Sequence, residues 1–530
     1  MAVVTISHRH GRTPVTGGRP AANALGTPRG ATSARLGGMD PTNVRPHVVI
    51  VGGGIAGLAA AFFLRDEAVR VTVLEGSPRP GGKLSVSEIA GVAVDEGAEA
   101  LLVTRPEGTG LIARAGLGGE RVEPGTTSSA IWTRGVLRPL PRGQFMGVPS
   151  DLAELAKSGV LTSAGVARAG QDLVLPPTAR DGDVPVAGYV GARFGAELVD
   201  RLVDPLLGGV YAGRSADLSF DATLPALSAA SRRYRSLAEA ARSLLPAPAR
   251  DQQDTPGPGT RSGGSVFTTL AGGLGTLPLF LAKASGAEIR TSSMARELSP
   301  GPAGGRAWRL TVGSAAAGEH LEADAVILAV PARPVGRLLA GVPGASAAVT
   351  AFAEISYASM AIVTLAYPRS AFPGAGLAAL GWSGYLVPAV DGQAVKAVTF
   401  STVKWPHLAD ATARGAAPLE IVRCSVGRIG EEAVLQRADE DLVALAAAEF
   451  AAATGVRGAP VASRVTRWGG ALPQYTVGHL GRVARIRAAV ATQPGLAVCG
   501  AAYDGVGIPA CVATARVAVS EVMTFLTVRP

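Results

Sequence analysis

Residues 47–64 of this 530-residue chain, HVVIVGGGIAGLAAAFFL, contain the strongest signal of its fold. A β-branched apolar run ends at three consecutive glycines, and an alanine-rich segment with helical character follows at once. A second β-rich run, residues 70–74, ends at Glu75. Strand, glycine turn, helix and strand within about 30 residues form one βαβ unit, which predicts a Rossmann-like parallel sheet.

The glycine turn has the spacing of a dinucleotide-binding site. Gly52 permits the tight turn, Gly54 lets a pyrophosphate approach the backbone, and Gly57 lets the helix pack closely on the strand. The helix N-terminus supplies amides and partial positive charge to the phosphates. Glu75 stands 21 residues after Gly54, where its carboxylate can accept the hydroxyls of an adenosine ribose. The same carboxylate disfavours NADP, because its 2′-phosphate carries a like charge.

A second glycine-rich loop, Arg79-Pro80-Gly81-Gly82-Lys83, follows the ribose acid. It resembles the FAD-binding extension of glutathione-reductase-like and amine-oxidase-like flavoproteins. That resemblance favours FAD over NAD as the cofactor.

The length of the chain predicts two domains, since single hydrophobic cores stop growing near about 250–300 residues. The fold class that we expect is α/β, with a discontinuous Rossmann-like FAD-binding domain and a mixed α+β substrate-binding domain. The FAD-binding domain is expected to comprise residues 46–130, 265–345 and 470–530, and the substrate domain residues 131–264 and 346–469. Residues 1–45 are expected to form a disordered tail, and the Pro- and Gly-rich residues 246–264 a flexible loop.

Composition excludes several classes of function. Six arginines and one aspartate in residues 1–45 account for more than half of the net charge of +9, and no basic run follows, which argues against a nucleic-acid partner. Three separated cysteines form neither a metal-site spacing nor a disulfide framework. No run of about 18 apolar residues marks a membrane span. We therefore expect a cytoplasmic protein without a metal, soluble or at most peripheral to a membrane.

Further motifs carry a narrower resemblance over nearly all of the chain from residue 46 onward. They are Asp95-Glu96-Gly97-Ala98-Glu99-Ala100, Arg193-Phe194-Gly195, Asp204-Pro205-Leu206-Leu207-Gly208-Gly209-Val210-Tyr211-Ala212-Gly213, Leu472-Pro473-Gln474-Tyr475 and Tyr503-Asp504-Gly505-Val506-Gly507-Ile508-Pro509. Together they resemble the porphyrinogen oxidases of haem biosynthesis. The sequence is most similar to the coproporphyrinogen III oxidases of Gram-positive, especially actinobacterial, bacteria.

The resemblance implies a set of flavin contacts. It assigns the pyrophosphate to Gly52, Gly53, Gly54, Ile55, Ala56 and Gly57, and the ribose to Glu75 and Gly76. It assigns the isoalloxazine side to Lys83, Gly97, Ala98, Glu99 and Ala100, and the adenine to the backbone of Met294. It places Trp468, Val506, Gly507 and Ile508 over the flavin ring, although Trp468 could equally be a core aromatic.

The resemblance also implies a reaction. Coproporphyrinogen III would be oxidised to coproporphyrin III in three rounds, each with dioxygen as the final acceptor and hydrogen peroxide as product, and a ferrochelatase would later metallate the product. The alternatives are a protoporphyrinogen IX oxidase on the same scaffold, an amine oxidase or carotenoid desaturase, and a flavin- or porphyrin-binding carrier without turnover. In every enzymatic reading the flavin accepts the hydride, and the sequence identifies no protein base.

Two residues are candidates for substrate contact. Arg105, soon after the Gly97 stretch, could bind a propionate in the cleft beside the flavin, or it could be a solvated surface arginine. Tyr211 could line the same cleft, although core packing is the favoured role. For His479 we favour a structural hydrogen bond over a role near the flavin.

Overall fold

The computed structural model of the protein describes residues 45–246, 265–314, 317–374, 376–415 and 417–528. Most of the expected tail and of the expected flexible loop therefore lies outside the described residues. The positions of the domain boundaries stay a prediction.

The strands in the first half of the chain are β1 (His47–Val51), β2 (Arg70–Leu74), β3 (Val86–Ile89), β4 (Val92–Asp95), β5 (Leu101–Leu102), β6 (Arg121–Val122), β7 (Ala130–Thr133), β8 (Val136–Pro139), β9 (Gln144–Phe145) and β10 (Val148–Pro149). Those in the second half are β11 (Phe267–Leu270), β12 (Glu288–Arg290), β13 (Ala295–Pro300), β14 (Trp308–Gly313), β15 (Gly318–Ala323), β16 (Ala325–Leu328), β17 (Tyr357–Pro368), β18 (Gly384–Leu386), β19 (Val395–Phe400), β20 (Leu419–Val426), β21 (Ala462–Pro473) and β22 (Leu496–Val498).

The helices up to residue 242 are α1 (Ile55–Leu64), α2 (Pro106–Arg114), α3 (Leu152–Ser158), α4 (Ser163–Gly170), α5 (Val186–Phe194), α6 (Ala196–Leu198), α7 (Asp204–Tyr211), α8 (Phe220–Thr223), α9 (Pro225–Ser231) and α10 (Leu237–Arg242). The later helices are α11 (Leu277–Ala284), α12 (Ala332–Leu339), α13 (Ser346–Ala353), α14 (Ser401–Lys404), α15 (Pro406–Ala413), α16 (Asp439–Thr454), α17 (His479–Ala491) and α18 (Ile508–Val528).

A five-stranded parallel sheet forms the first structural unit, in the order β12-β2-β1-β16-β22. Its strands come from three separated parts of the chain, as a discontinuous Rossmann-like domain requires. Helices α1, α11 and α18 pack on one face, and α12, α13, α17 and the antiparallel sheet β13-β14-β15 pack on the other. Both faces of the sheet are covered, which explains why β1 is apolar without alternation. The predicted α/β fold class is confirmed.

A seven-stranded mixed sheet forms the second unit, in the order β21-β17-β20-β19-β18-β7-β8. Helix α16 packs on one face and buries Leu442, Ala446 and Phe450 there. Helices α3–α10, which we call the helical lobe, form a separate core that reaches this sheet at Ile131, Leu386 and Ala397. Strands and helices are thus mixed in this unit, as expected for the substrate-binding part.

A buried ion pair holds the helical lobe together. Arg193, at the end of α5, and Asp172 are both almost fully buried and bind through Nε and Oδ1. Asp172 also accepts hydrogen bonds from the Leu237 and Ala238 amides at the start of α10. The Arg193-Phe194-Gly195 motif therefore has a structural role in this fold.

Among the described residues, α18 is the one helix long and apolar enough to cross a membrane. Its residues Cys511, Ala515, Ala518 and Val522 are buried in the core beneath the parallel sheet. One face of α18 thus packs on α1 and the sheet, and 39% of its most apolar stretch is buried.

Gly57 sets how closely α1 lies to β1. A Cβ atom at Gly57 would stand 1.9 Å from the Gly52 carbonyl oxygen, whereas a Cβ at Gly54 would meet nothing within 4 Å. We expect Gly57→Ala to lower the free energy of unfolding of flavin-free protein by about 1–3 kcal/mol, since the helix must move away from the strand. Gly54→Ala is the matched control and should change it by less than about 0.5 kcal/mol. Urea unfolding followed by circular dichroism checks both, and equal stabilities of the two variants would contradict the close-approach argument.

Candidate flavin and substrate site

The glycine turn leaves the N-terminus of α1 open. Gly52 has a φ of 109°, and a Cβ there would lie 2.7 Å from the Ala329 carbonyl oxygen, so only glycine fits. Gly54 is the N-cap of α1 and provides no side-chain hydrogen bond to the first turn. The amides of the first turn therefore have no side-chain cap, and the space at Gly54 is open, which is the arrangement that suits an anion such as a pyrophosphate.

The Glu75 carboxylate is held in place by backbone amides. Oε2 accepts a hydrogen bond from Gly53 N at 2.8 Å, and Oε1 accepts one from Ser77 N at 2.8 Å. Each oxygen keeps a further lone pair, so the carboxylate can still accept from two ribose hydroxyls. Gly76 lies beside it, and a Cβ there would lie 2.7 Å from Met294 Cε, the end of a half-exposed flexible side chain.

The second glycine loop lies directly on the first. Gly81 N donates to the Gly53 carbonyl oxygen at 2.8 Å, and a Cβ at Gly82 would lie 3.2 Å from Gly54 Cα. Lys83 follows, and burial lowers the pKa of its ammonium group. Within the described parts of the chain no carboxylate forms an ion pair with Lys83. A partly buried cation without an acid partner among the described residues fits an anionic group of a bound cofactor.

The Gly97 stretch meets Lys83 and Trp468. A Cβ at Gly97 would lie 2.0 Å from the Lys83 carbonyl oxygen and 3.3 Å from Trp468 Cζ2. Trp468, on β21, donates from Nε1 to the Glu96 carbonyl oxygen at 3.1 Å. The structure thus brings together the residues expected on the isoalloxazine side, although they are far apart in sequence.

Glu99 differs from the others in this stretch. Its carboxylate binds Lys404 Nζ at 2.7 Å and Arg423 Nη1, and Arg423 Nη2 donates to the Gly97 carbonyl oxygen. Burial opposes ionisation, but these two cations hold the pKa of Glu99 well below its usual range. The Glu99 side chain therefore binds residues at the seven-stranded sheet. The predicted flavin contact of Glu99 would thus be made by its backbone.

Sequence reasoning missed Lys404 and Arg423. Both are more than 300 positions from Glu99, and neither belongs to a motif that we recognised. Only their place beside the seven-stranded sheet, on α14 and β20, reveals their partner. No local signal in the sequence could have identified them.

The turn before α18 completes the site. Tyr475 Oη accepts from Gly505 N at 2.8 Å and donates to the Ala501 carbonyl oxygen at 2.6 Å. Val506 packs against the core of the helical lobe, and Ile508 is buried in the core below the parallel sheet. The segment that contains Val506, Gly507 and Ile508 therefore joins the two structural units. Tyr475 belongs to a motif that sequence analysis singled out, but its role was not predicted.

Arg105 enters this junction. Its Nη1 lies 3.5 Å from the position that a Cβ of Gly505 would take, and its side chain is 22% exposed. Burial raises the pKa of the Cys511 thiol to about 11, and the charges of Lys83 and Arg105 oppose that rise. Both cations consequently lie near the first turn of α18, with Glu107 Oε2 at 4.0 Å from Arg105 Nε.

Tyr211 lies on the other side of the same junction. It is 7% exposed, and its ring centroid is 5.6 Å from that of Tyr475. Burial raises the pKa of its phenol, which the charge of Arg105 partly counteracts. Its packing in the helical-lobe core agrees with the favoured role of a core aromatic.

Met294 lies at the opposite end of the site, beyond the end of β12. Its side chain covers Gly76 and is 47% exposed, and its carbonyl oxygen accepts from Gly313 N at 2.9 Å. The backbone contact to adenine stays a prediction. Because the Met294 carbonyl oxygen already accepts from Gly313 N, the Met294 amide would make that contact.

His479 is structural. Its ring stacks on Tyr475 at a centroid distance of 3.8 Å, and Nε2 donates to the Tyr503 carbonyl oxygen at 3.3 Å. Burial lowers the pKa of the imidazole to about 4. The ring is therefore uncharged near neutral pH, and it packs against one face of the Tyr475 ring.

The residues present fit FAD. The structure combines an uncapped helix N-terminus, a carboxylate with free lone pairs for ribose hydroxyls, a lysine without an acid partner among the described residues, and a tryptophan beside the Gly97 stretch. Among the described residues, no group of three or more His, Cys, Asp or Glu side chains could hold a metal ion.

Comparison with known proteins gives a consistent result. The sequence profile of the flavin containing amine oxidoreductases matches residues 55–523. The chain is 37% identical over 486 residues to the coproporphyrinogen III oxidase of Mycobacterium tuberculosis strain H37Rv, covering 90% of this chain and 97% of that protein. It is 30% identical over 492 residues to the coproporphyrinogen III oxidase of Bacillus subtilis, covering 91% and 99%.

A solved structure shares the fold. The crystal structure of a protein from Exiguobacterium sp. 255-15, described as a protoporphyrinogen oxidase, superimposes with a TM-score of 0.77 at 30% identity. The match covers 92% of this chain and all of that one. Both structural units are therefore shared.

The buried imidazole of His479 predicts a pH dependence of stability. Its folded-state pKa of about 4 lies below the ordinary value of 6.5, so the unfolded chain binds a proton that the folded chain does not. The free energy of unfolding should therefore fall as pH is lowered from about 6.5 to about 4. His479→Gln keeps a hydrogen-bond donor and should make this fall shallower in urea unfolding at a series of pH values.

The free energies of unfolding of the wild type and His479→Gln at about pH 8 differ only through lost packing, because the imidazole is then neutral in both the folded and the unfolded chain. An unchanged pH slope in His479→Gln would show that other groups account for the acid sensitivity.

Proposed function

This chain belongs to the family of flavin-containing amine oxidoreductases and is an FAD-dependent oxidoreductase, and from that premise we propose that it oxidises coproporphyrinogen III to coproporphyrin III in haem biosynthesis. The similarity to two enzymes of that name extends over about nine-tenths of the chain, so it includes the substrate-binding unit as well as the FAD-binding one. The resemblance to the porphyrinogen oxidases is thereby confirmed.

The observation that carries the proposal is the position of Arg105. Its guanidinium lies at the Gly505 turn, at the junction of the two units and beside the residues proposed to contact the flavin. Porphyrinogens carry propionate side chains, and a guanidinium binds carboxylates through charge-assisted hydrogen bonds. Arg105 is thus proposed to orient the macrocycle over the flavin.

When bound, FAD supplies the hydride acceptor that carbon oxidation needs. The residues of the chain bind and orient. The open amides of α1 and Lys83 are proposed to hold the negative charge of the cofactor, Glu75 its ribose, and Trp468 and Val506 to border the ring and exclude water. Tyr475 fixes the Gly505 turn through two backbone hydrogen bonds.

We assign no proton transfer to a side chain of the cleft. Burial raises the pKa values of Tyr211 and Tyr475, and it raises that of Cys511 to about 11, so these groups stay protonated. His479 is buried behind Tyr475. The proton of a pyrrole nitrogen would therefore leave to solvent or to a neighbouring substrate nitrogen, while the hydrogen of a methylene bridge leaves as hydride.

Conversion of the porphyrinogen to the porphyrin removes six hydrogens in three two-electron steps. We propose that dioxygen accepts each electron pair and leaves as hydrogen peroxide. The aromatic product is a metal-binding macrocycle, so a ferrochelatase is the proposed next enzyme. We propose the cytoplasm as the location of the reaction.

The second candidate is protoporphyrinogen IX oxidation. The Exiguobacterium structure is described by that activity, and a 28% identical relative from Macaca fascicularis is named protoporphyrinogen oxidase. The two reactions need the same flavin chemistry and differ in the side chains of the macrocycle. Initial rates with both porphyrinogens, measured side by side, distinguish them.

Anaerobic reduction of the purified holoenzyme tests the proposed activity. Coproporphyrinogen III should bleach the flavin absorption, and air should restore it with formation of coproporphyrin III and hydrogen peroxide. Faster bleaching by protoporphyrinogen IX would favour the second candidate. Flavin colour that neither substrate bleaches would identify a carrier without turnover.

Replacement of Arg105 tests its contact with the substrate. Arg105→Ala should raise KM for coproporphyrinogen III about 10-fold or more, because a hydrogen bond to a charged group contributes about 1.5–3 kcal/mol. Arg105→Lys should recover part of this loss. Arg121→Ala removes the same charge from the exposed strand β6 and should leave KM unchanged. An unchanged KM in Arg105→Ala would exclude the propionate contact.

A further inference from the structure

We propose that a cavity at the junction of the two units receives a carboxylate side chain of the substrate, with Lys404 as the cation of this subsite. The inference rests on the proposed function, because it concerns where one of the propionates of the macrocycle lies. It adds a second anion-binding position to that of Arg105, on the side of the substrate-binding sheet.

The cavity has a volume of about 90 Å³. Its walls come from both units: β18 and β19 on one side, Leu206 of the helical lobe on another, and Phe267 of β11 on a third. Strand β11 pairs with β5, which follows the Gly97 stretch directly. The cavity therefore lies next to the segment that is proposed to line the flavin.

Lys404 is the one ionisable cation of this lining. Its side chain is 5% exposed, and its Nζ is 2.7 Å from Glu99 Oε1. Glu99 also binds Arg423, whose side chain is 6% exposed, so two buried cations share one carboxylate. Asp95, the next buried acid, accepts from the amides of Leu274 and Gly275. Lys404 thus shares its carboxylate with a second cation, and its ammonium group, which has three donors and gives one to Glu99, keeps donors for an anion in the cavity.

Hydroxyl groups supply the remaining donors. Ser129 and Thr399 line the cavity, and within the described residues neither hydroxyl makes a hydrogen bond. Thr399 is paired in register with Arg423 of β20, so the two side chains share one face of the sheet. A carboxylate accepts hydrogen bonds only, and it can therefore use both hydroxyls and the ammonium group of Lys404.

The apolar residues of the lining fit the apolar part of the same ligand, which is the methylene groups of the propionate and the edge of the pyrrole ring. Leu140, Met146 and Leu206 can contact the methylene groups of a propionate and the edge of a pyrrole ring. A substrate with vinyl groups instead of propionates at this position would leave the cation and the hydroxyls unpaired. Such a site discriminates strongly, because unpaired buried polar groups carry a desolvation penalty. The subsite therefore favours a porphyrinogen with four carboxylates over one with two.

Product binding to the FAD-loaded enzyme tests the subsite. Coproporphyrin III and protoporphyrin IX are both fluorescent, so dissociation constants can be titrated for the wild type, Lys404→Gln and Lys404→Arg. Lys404→Gln should weaken coproporphyrin III binding about 10-fold and raise KM by a similar factor with kcat within about 2-fold. Protoporphyrin IX binding should change by less than about 2-fold, and Lys404→Arg should retain most of the wild-type affinity.

Lys283→Gln is the matched control, since it removes the same charge from an exposed position on α11. If Lys404→Gln binds both porphyrins as the wild type does, the subsite is excluded. If the wild type itself neither binds nor oxidises a porphyrinogen, the proposed function fails, which is a different outcome.

Lys404 supports Glu99, so its replacement could disturb the flavin or the fold. Ser129→Phe keeps the ion cluster and fills the cavity instead, and it should weaken coproporphyrin III binding to a similar extent at unchanged flavin content. Unchanged coproporphyrin III affinity in Ser129→Phe would overturn the proposal even if Lys404→Gln does not fold.

Discussion

The contact between Gly57 and Gly52 is the constraint on which the rest of the structure depends. Because glycine has no Cβ atom, for which Gly57 leaves no room, α1 can start directly against the end of β1. That position leaves the first amides of the helix open at Gly54, and it brings Gly53 to the Glu75 carboxylate. The second glycine loop then lies on the first through the hydrogen bond from Gly81 to Gly53. A single close approach thus positions the residues proposed to bind the phosphates, the ribose and the flavin.

The Gly97 stretch, which is proposed to line the flavin, is held by residues of the second unit, the seven-stranded sheet and α14. Arg423 and Lys404 bind Glu99, Trp468 binds the Glu96 carbonyl oxygen, and Arg464 donates to Ser87 and Val94 carbonyl oxygens in β3 and β4. Buried ion pairs add little net stability, because desolvation offsets their attraction. Their effect here is geometric: they fix the Gly97 stretch against the seven-stranded sheet. Substitutions of these residues should therefore alter the proposed flavin site by moving the Gly97 stretch, without a direct contact to the flavin.

Three cations lie around the junction, and the acids near them face cations or backbone amides. Lys83, Arg105 and Lys404 carry positive charge around the cleft, and the nearby phenols and thiol stay neutral because burial raises their pKa values. Glu99 and Asp95 are engaged by cations and by backbone amides, respectively. Such a cleft favours a flat, anionic ligand. Burial raises the pKa of Asp95 to about 6, but its carboxylate accepts from the Leu274 and Gly275 amides, so we assign it no role as a general base. Chemistry by a bound redox cofactor is consistent with this arrangement.

The sequence by itself determined the local elements and the fold class. The glycine spacing, Glu75 and the second glycine loop lie within residues 52–83, so chain connectivity alone keeps them together. Only the tertiary structure decided which distant residues meet them. Arg423 and Lys404 reach Glu99, and Trp468 reaches Gly97, because sheet pairing and domain packing bring together positions more than 300 residues apart. The physical reason is that periodicity and spacing report short-range geometry, whereas an ion pair across a domain junction depends on how two separately built cores pack.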